Sequence, residues 1–320
     1  MNRKTWMYAA GAVCALSALS AVAQQTGPSA VTVVATPNGY STQPLIKIRD
    51  EKGVVHSGLR CGTPSHTPAQ RFEVERRLQQ FRAQSGWAGA SAIRLGAGVP
   101  KATKTVPVRF HVVTGNSNAG NVTDAQIQKQ IQVLNAAYSG RGFRFTLAGT
   151  DRTRNVTWYN DCERNEMAMK NALAINPAKN LNIYTCNPPG LLGFAYLPDQ
   201  YPESSKVHGV VMTGSSMPGG SASDYNEGDT ATHEVGHYLG LEHTFENGCV
   251  APGDYVADTP PQASPSDGCP VGRDSCAGGG LDPIHNFMDY SYDSCMTEFT
   301  TDQSIRMQDL VATYKPSLGS

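Results

Sequence analysis

The stretch THEVGHYLGLEHTF, residues 232–245, determines how the rest of the chain is interpreted. His233 and His237 are four residues apart, so on a helix both imidazoles lie on one face and can reach a single ion. Gly240 can adopt a positive φ that ends the helix and turns the chain, which would bring His243 back as a third ligand. Three neutral nitrogens leave the fourth tetrahedral position to water, as in catalytic zinc sites. The stretch therefore predicts a zinc site on a helix and the turn that follows it.

Glu234 lies between the first two histidines and is not needed as a ligand. Zinc lowers the pKa of a bound water toward neutrality, and Glu234 can accept its proton and pass it to a departing amine. The reaction expected from this arrangement is peptide-bond hydrolysis. A pair of histidines four residues apart is also common on the surface of helices that bind no metal. Here five specified positions fall within eleven residues, which favours the zinc interpretation.

The first 23 of the 320 residues have the composition of a secretory signal. Arg3 and Lys4 precede an apolar run that ends in the small-residue site Ala21-Val22-Ala23. We therefore expect cleavage after Ala23 and release of the mature protein into an oxidising, extracellular compartment. No later apolar run is long enough to span a bilayer, so no membrane association is expected after signal cleavage.

The near-neutral net charge of −1 conceals two oppositely charged parts. Residues 24–94 contain nine Lys or Arg and four acids, a net of +5, whereas residues 95–320 have a net of −8. Opposite fields favour docking of one part on the other, although a solvated basic linker has the same composition. The acidic larger part gives no support for nucleic-acid binding. We predict a signal peptide (1–23), a pro-segment (24–94) and a catalytic domain (95–320).

Hydrophobic periodicity predicts strands and helices in alternation, which indicates an α+β fold. Thr123 is the expected N-cap of a helix. Strands are predicted at 105–113, 142–150, 155–159, 181–186 and 208–214, and helices at 68–84, 124–139, 163–175 and 300–314. Residues 247–292 are rich in Gly, Pro and Asp and are expected to be irregular.

The zinc stretch and several flanking motifs resemble a known family. HEVGHYLGLEH (233–243) matches the extended metzincin motif HExxHxxGxxH, and NFMDY (286–290) resembles the metzincin Met-turn. With LLGFAYLP, GDYVADTPPQ and GCPVGRDSC, the chain resembles the pappalysins, a group that includes bacterial, archaeal and fungal secreted proteases. The resemblance implies a metzincin-type catalytic domain preceded by a pro-segment. Such a domain has a twisted mixed sheet, a long active-site helix and an irregular, disulfide-stapled C-terminal subdomain.

The resemblance also implies roles for individual residues. His233, His237 and His243 would bind zinc, Glu234 would be the general base, and Met288 would form the hydrophobic floor under the metal. An ordinary packing role for the methionine is compatible with that position.

Three further features bear on substrate binding. Tyr290 would stabilise the oxyanion of the tetrahedral intermediate, the alternative being a buried core tyrosine. The strand around Gly193–Tyr196 would pair antiparallel with an extended substrate. Some relatives use a pocket acid to prefer Arg or Lys after the scissile bond, and Asp293 lies near the corresponding place, although the sequence leaves its orientation open.

Pairing of the cysteines leaves one of them without a predicted partner. Removal of the signal takes away Cys14 and leaves seven. The resemblance implies Cys249 paired with Cys276 and Cys269 with Cys295, which leaves Cys162 for Cys186.

Cys61 is the remaining thiol, in LRCGTP (59–64). A lone thiolate is a strong zinc ligand, so the hypothesis is that Cys61 takes the fourth zinc position and keeps the zymogen latent, while Arg60 anchors the segment. A structural or intermolecular disulfide is the competing interpretation.

Calcium is a second expected metal. Family members bind calcium in the loop that contains Asp254, Asp258 and Thr259, whose oxygens are suitable hard ligands. Aspartates in ordinary turns are the alternative.

The sequence as a whole predicts a secreted, monomeric zinc endopeptidase that is made as a zymogen, binds its own pro-segment and cleaves protein or peptide substrates. The alternative is a non-catalytic, zinc-stabilised secreted binding or adhesion module. Retention of Glu234 favours the enzyme, because a structural site has no use for a base. Arg82 and Arg94 are candidate activation sites.

Overall fold

A mixed β-sheet lies at the centre of the fold. The computed structural model describes residues 34–36, 39–41, 45–49, 54–85 and 103–320, so the expected signal and Arg94 lie outside the described residues. The strands are β1 (Val34–Thr36), β2 (Gly39–Ser41), β3 (Ile46–Arg49), β4 (Val55–Cys61), β5 (Lys104–Thr114), β6 (Phe143–Arg154), β7 (Leu181–Cys186), β8 (Leu191–Phe194) and β9 (Val210–Thr213). β1 and β2 form a separate antiparallel pair, and the other seven form one sheet in the order β3-β4-β8-β9-β7-β5-β6.

Strand direction divides this sheet into two parts. β6, β5, β7 and β9 run parallel to one another, and β8 runs antiparallel to β9. β4 pairs with β8 in the parallel sense, and β3 pairs antiparallel with β4. Within residues 103–320, β8 is therefore an edge strand. That edge is covered by β4 from the N-terminal segment, as we call the described residues 45–49 and 54–85.

The helices are α1 (Pro68–Gln84), α2 (Asp124–Ala137), α3 (Val156–Asn160), α4 (Glu166–Leu173), α5 (Asp229–Leu239) and α6 (Thr301–Tyr314). Capping boxes start α1, α2 and α6, where the side chains of Thr67, Thr123 and Thr300 each accept from the third helical residue. Each box satisfies two backbone donors that the first helical turn leaves open.

The main hydrophobic core lies between the sheet and the helices α2, α5 and α6. Val106, Val108 and Phe110 alternate along β5 and are fully buried, and they share one cluster with Ile131 of α2 and Val235 of α5. Every residue of α5 is buried. A helix buried on all sides carries no solvent-exposed polar face, and the imidazoles of His233 and His237 bond to backbone carbonyls beyond the helix.

The structure confirms most of the predicted elements and contradicts one. The helix at 68–84, the cap at Thr123 and the strands at 105–113 and 181–186 are found within a residue or two of the predicted bounds. The strand predicted at 155–159 is wrong. β6 runs on to Arg154, and the Asn155 side chain then accepts from the Trp158 backbone N–H and starts α3. An N-cap outweighed the β propensity of this short run.

Disulfides staple the irregular C-terminal part. The structure joins Cys249 to Cys276 and Cys269 to Cys295, as the resemblance implied, and Cys162 to Cys186, the pair that was left. Two of the three disulfides lie within residues 249–295, a part of the chain with little regular structure. In the described part of the chain, no helix combines the length and the apolar character needed to cross a membrane.

Candidate active site

The three histidines converge because α5 ends in a tight turn. Gly240 has φ of 111° and forms the C-cap, a conformation that glycine adopts without steric cost. The turn brings the His243 Nε2 to 3.1 Å from the His237 Nε2, which is also 3.1 Å from the His233 Nε2. The positive φ predicted from the sequence at this glycine is confirmed.

The hydrogen bonds of the histidines suit a metal cation. The His233 Nδ1 donates to the Phe287 carbonyl and the His237 Nδ1 to the Leu241 carbonyl, each at 2.7 Å. Burial lowers the pKa of all three imidazoles, so they are neutral and these two present lone pairs at Nε2. Lone pairs facing each other at 3.1 Å repel unless a cation lies between them. The edge of a tetrahedron with Zn–N bonds of about 2.0 Å is about 3.3 Å, so the residues fit zinc.

Cys61 is the fourth member of this cluster. Its Sγ and the ligand nitrogens of His233, His237 and His243 all lie within 4.8 Å of one another, and all four residues are buried. Cys61 is the free cysteine of the described residues. A thiol and three imidazoles form a soft and borderline donor set that is typical of zinc.

Glu234 faces the N-terminal segment. Its Oε2 accepts a hydrogen bond from the Thr63 Oγ1 at 2.9 Å and from the Cys61 Sγ at 3.5 Å. Its Oε1 is buried and finds no hydrogen-bond partner among the described residues. Burial raises the pKa of Glu234 to about 8, although the hydrogen bonds from Cys61 and Thr63 oppose this rise. Two residues of the N-terminal segment thus contact the side chain expected to act as base.

Tyr290 and Met288 complete the surroundings of the histidines. The Tyr290 hydroxyl lies 3.2 Å from the His243 Nε2, and its ring packs edge-on against that imidazole. Met288 is fully buried against Gly236, where a Cβ would clash with the methionine sulfur. Met288 therefore packs directly on the helix turn between His233 and His237.

β8 passes close above the active-site helix. A Cβ on Gly193 would lie 3.0 Å from the Glu234 Cγ and 3.0 Å from the Val211 carbonyl oxygen, so a larger residue would crowd both groups. The N-terminal segment hydrogen-bonds along this strand through Leu59 N–H to the Gly190 carbonyl (2.8 Å) and Gly62 N–H to the Gly193 carbonyl (2.9 Å). The edge expected to receive substrate is occupied by β4.

Arg60 fills a buried pocket beside the histidines. Its Nη2 lies 3.3 Å from the Asp293 Oδ1, and its guanidinium stacks on the Tyr225 ring at 4.7 Å. The Asp293 Oδ2 in turn accepts from the backbone N–H groups of Glu227 (2.9 Å) and Asp229 (3.3 Å), at the start of α5. The orientation that the sequence left open is thus resolved, since the Asp293 carboxylate faces a cationic side chain.

A second group of contacts holds the segment just beyond the cysteine. The His66 Nδ1 lies 2.7 Å from the Glu242 Oε1, and its Nε2 lies 2.8 Å from the Asp199 Oδ2. Only a protonated imidazole can donate to both carboxylates. Burial would lower the pKa of His66, but the two hydrogen bonds outweigh it and raise the pKa to about 9. His66 is therefore a cation at neutral pH.

The residues expected to bind calcium are only partly together. The Thr259 Oγ1 donates to both oxygens of Asp254, at 2.8 and 2.9 Å. Burial raises the pKa of Asp254 to about 7. The Asp258 Oδ2 instead accepts from the Asp302 backbone N–H at the start of α6. Asp254 and Thr259 thus bond directly to each other, whereas Asp258 caps a helix.

Sequence reasoning missed Thr63, His66, Arg71 and Tyr225. Thr63 stands two residues after Cys61, so its proximity to a predicted ligand was the available signal. Each of the other three contacts a residue at least 165 positions away in sequence, and no spacing rule indicates such pairs.

Known proteins with related sequences or structures were compared with the chain. The profile of the Peptidase_M43 family, described as pregnancy-associated plasma protein-A, matches residues 164–312. An extracellular metalloprotease of Podospora anserina is 44% identical over 269 residues, covering 81% of this chain and 90% of the fungal protein. Mature mirolysin of Tannerella forsythia, solved with a cleaved peptide, has a TM-score of 0.60 and 33% identity, and the match covers 68% of this chain and 97% of that chain. A promirolysin mutant from the same organism has a TM-score of 0.64 and 32% identity, with 80% and 94% covered.

Together the fold and the histidine cluster define a zinc metalloprotease of the metzincin type. The sheet, the active-site helix and the disulfide-stapled C-terminal part are those implied by the zinc motif. The chain belongs to the Peptidase_M43 family, the pappalysins.

Proposed function

We propose that the protein is a secreted zinc endopeptidase made as a zymogen, in which residues 24–94 are the pro-segment. The observation that carries the proposal is the convergence of three neutral imidazoles beside the Glu234 carboxylate. The names of the fungal relatives, extracellular metalloproteases, support secretion and activity. The match to promirolysin covers more of this chain than the match to mature mirolysin, which supports a pro-segment.

In the proposed reaction His233, His237 and His243 would hold zinc, which when bound supplies a Lewis acid that activates water and polarises the scissile carbonyl. Glu234 accepts the proton of the attacking water at a carboxylate oxygen and transfers it to the leaving amine. The Tyr290 hydroxyl, 3.2 Å from the His243 nitrogen, donates to the oxyanion as it forms.

Latency in this proposal comes from two side chains of LRCGTP. Cys61 would bind zinc together with the three histidines and take the place of water, and the Thr63 hydroxyl donates to the Glu234 oxygen that would otherwise receive the water proton. β4 runs parallel to β8, whereas a substrate is expected to pair antiparallel with it. The segment would therefore lie in the cleft in the reverse direction.

The pocket occupied by Arg60 is proposed to bind the residue after the scissile bond. A carboxylate fixed by two backbone N–H groups and an aromatic face above it suit a guanidinium or an ammonium group. We therefore propose a preference for Arg or Lys at this position.

Calcium is proposed to bind at the loop of Asp254 and Thr259, together with backbone carbonyls. The carboxylate is buried and its pKa is raised, so a divalent cation would stabilise the ionised form. A fall in the melting temperature on selective calcium chelation, absent in Asp254→Asn, would support this site. No change in the wild type would argue against it.

The test of the enzyme is hydrolysis of casein by the processed protein and by Glu234→Ala. We expect the variant to bind zinc at unchanged stoichiometry and to lose activity by at least about a thousandfold, because only the base is removed. A processed, zinc-loaded wild type that cleaves no protein or peptide would instead favour a zinc-stabilised binding or adhesion module.

A further inference from the structure

The N-terminal segment covers a surface of the catalytic part that lies outside the cleft. On α1, Val74 and Leu78 pack against Leu310 and Tyr314 of α6. Leu310 also contacts the turn at Gly240, where a Cβ would clash with it. The apolar floor under α1 is thus continuous with the end of the active-site helix.

The rim of this surface is mainly acidic, and α1 meets it with arginines. Arg71 pairs with Glu246 and donates to the Asn247 Oδ1 at 2.8 Å, and the Arg82 Nε lies 2.8 Å from the Asp309 Oδ2. In one ion pair the acid is on α1 and the arginine is on the catalytic part, with the Arg306 Nη1 2.7 Å from the Glu75 Oε1.

Four of the side chains by which α1 contacts the catalytic part form a stripe, and Glu75 lies beside it. Arg71, Val74, Leu78 and Arg82 are separated by three, four and four positions, so they share one helix face. The stripe has a cation at each end and two apolar residues between them. Its separations are three, four and four from the N-terminal end and four, four and three from the C-terminal end. A helix that lies on this surface in either chain direction can therefore present the same order of side chains.

An open groove of about 380 Å³ lies along one side of α1. It is lined by residues of the helix and of the catalytic part, among them Val74, Asp199 and Tyr314. While the residues between α1 and β5, which we call the connector, are intact, α1 binds intramolecularly at high effective concentration. Cleavage of the connector removes this advantage. The surface then becomes available to other helices.

We propose that this surface, defined by Glu246, Asp309, Leu310 and Tyr314, is a substrate-docking site of the processed enzyme. Its ligand is a basic amphipathic helix with the cation–apolar–apolar–cation stripe. The inference rests on the proposed function, since it requires a pro-segment that leaves and a cleft that cuts.

The path of the N-terminal segment indicates where a substrate's docking helix lies relative to the scissile bond. The six residues from Gly62 to Thr67 connect Cys61 to Pro68 at the start of α1, a reach of at most about 25 Å. If the Arg60 pocket binds the substrate residue after the scissile bond, residues Gly62 to Thr67 occupy the part of the cleft that binds the substrate residues before the scissile bond. A substrate that pairs antiparallel with β8 therefore carries the docking helix about six residues before its cleavage site.

The first experiment measures binding directly. A specific protease site is inserted in the connector (86–102), the full chain is cleaved, the freed segment is washed off, and a fluorescent peptide spanning His66–Ser85 is titrated. We expect saturable binding, weakened at least tenfold by R71E and R82E in the peptide or by Glu246→Gln or Asp309→Asn in the protein. Absence of binding, a segment that cannot be washed off, or equal affinity of the charge-reversed peptide would overturn the docking site.

The second experiment tests the connection to substrates. Quenched peptides carry the helix either before or after one Arg-containing cleavage site, or lack it. We expect KM to fall at least tenfold only when the helix precedes the site, with kcat unchanged, and Asp309→Asn to remove this gain while leaving the helix-free peptide unaffected. Equal KM values for the three peptides would overturn the inference, whereas failure to cleave any peptide would refute the proposed function and leave the binding result to stand separately.

Discussion

The two halves of the N-terminal segment are attached to the protein in different ways. In the first half, Arg60, Cys61 and Thr63 are buried and each contacts a group of the candidate active site. In the second half, α1 buries only Arg71, Val74 and Leu78, and its Phe72 is 70% exposed. The first half can block chemistry because it occupies the reacting groups, whereas the second retains the segment mainly by charge. Substitutions in the two halves should therefore have separable effects.

The largest effect is expected at the thiol. Cys61→Ala should raise hydrolysis of a quenched peptide by the uncleaved chain about a hundredfold or more, because the fourth zinc position becomes open to water. The measurement requires mass spectrometry to show that the chain is still intact. The double variant Cys61→Ala/Glu234→Ala is the control and should not hydrolyse the peptide. A Cys61→Ala chain as inactive as the unmodified one would exclude the cysteine as the latency device.

The next effect is expected at the pocket that holds Arg60. In the processed enzyme, Asp293→Asn should lower kcat/KM about 30- to 100-fold for a peptide with Arg after the scissile bond, since a buried charge pair loses one partner. A matched peptide with Leu at that position serves as the control and should change little. Equal losses on both peptides would indicate that Asp293 only supports the start of α5.

An intermediate effect is expected from pH, through His66. Because docking raises the pKa of His66 from its ordinary value near 6.5 to about 9, its contribution is fully present below about 6.5 and is lost as the pH rises through about 9. His66→Gln should lower the free energy of unfolding of the full chain by about 2 kcal/mol at pH 6.5. Chemical denaturation at pH 6.5 and at pH 10 measures this loss, and a difference between the two chains that does not shrink at pH 10 would contradict the prediction.

The smallest effect is expected at the end of α1. Arg82→Gln removes the partner of a buried carboxylate and should cost about 1 kcal/mol, less at high salt. Arg76→Gln is the matched control on the same helix, since Arg76 pairs with Glu73 on the exposed face and its loss should leave stability unchanged. Equal effects of the two substitutions would show that α1 is held by its apolar residues and not by the Asp309 pair.

The sequence was most informative where local spacing determines geometry. The separation of His233 from His237 and the glycine at position 240 were enough to predict a helix, a turn and three converging imidazoles. The N-cap at Asn155 was missed because a short β-branched and aromatic run suits both a strand and a single helical turn. The partners of His66 and Asp293 could not be read from the sequence, since tertiary packing brings them from opposite ends of the chain. The charge imbalance between the two parts favoured docking over a solvated basic linker, but it did not indicate which residues would meet.

The parallel pairing of β4 with β8 has a consequence for how the precursor would become active. If the N-terminal segment is the proposed inhibitor, its backbone runs through the cleft opposite to a substrate, so we expect that a molecule does not cleave the part of the segment in its own cleft. We then expect the first cut to be made by another molecule, in the connector. Each activated molecule would create others, and the appearance of activity would follow a lag that shortens as the concentration of precursor rises.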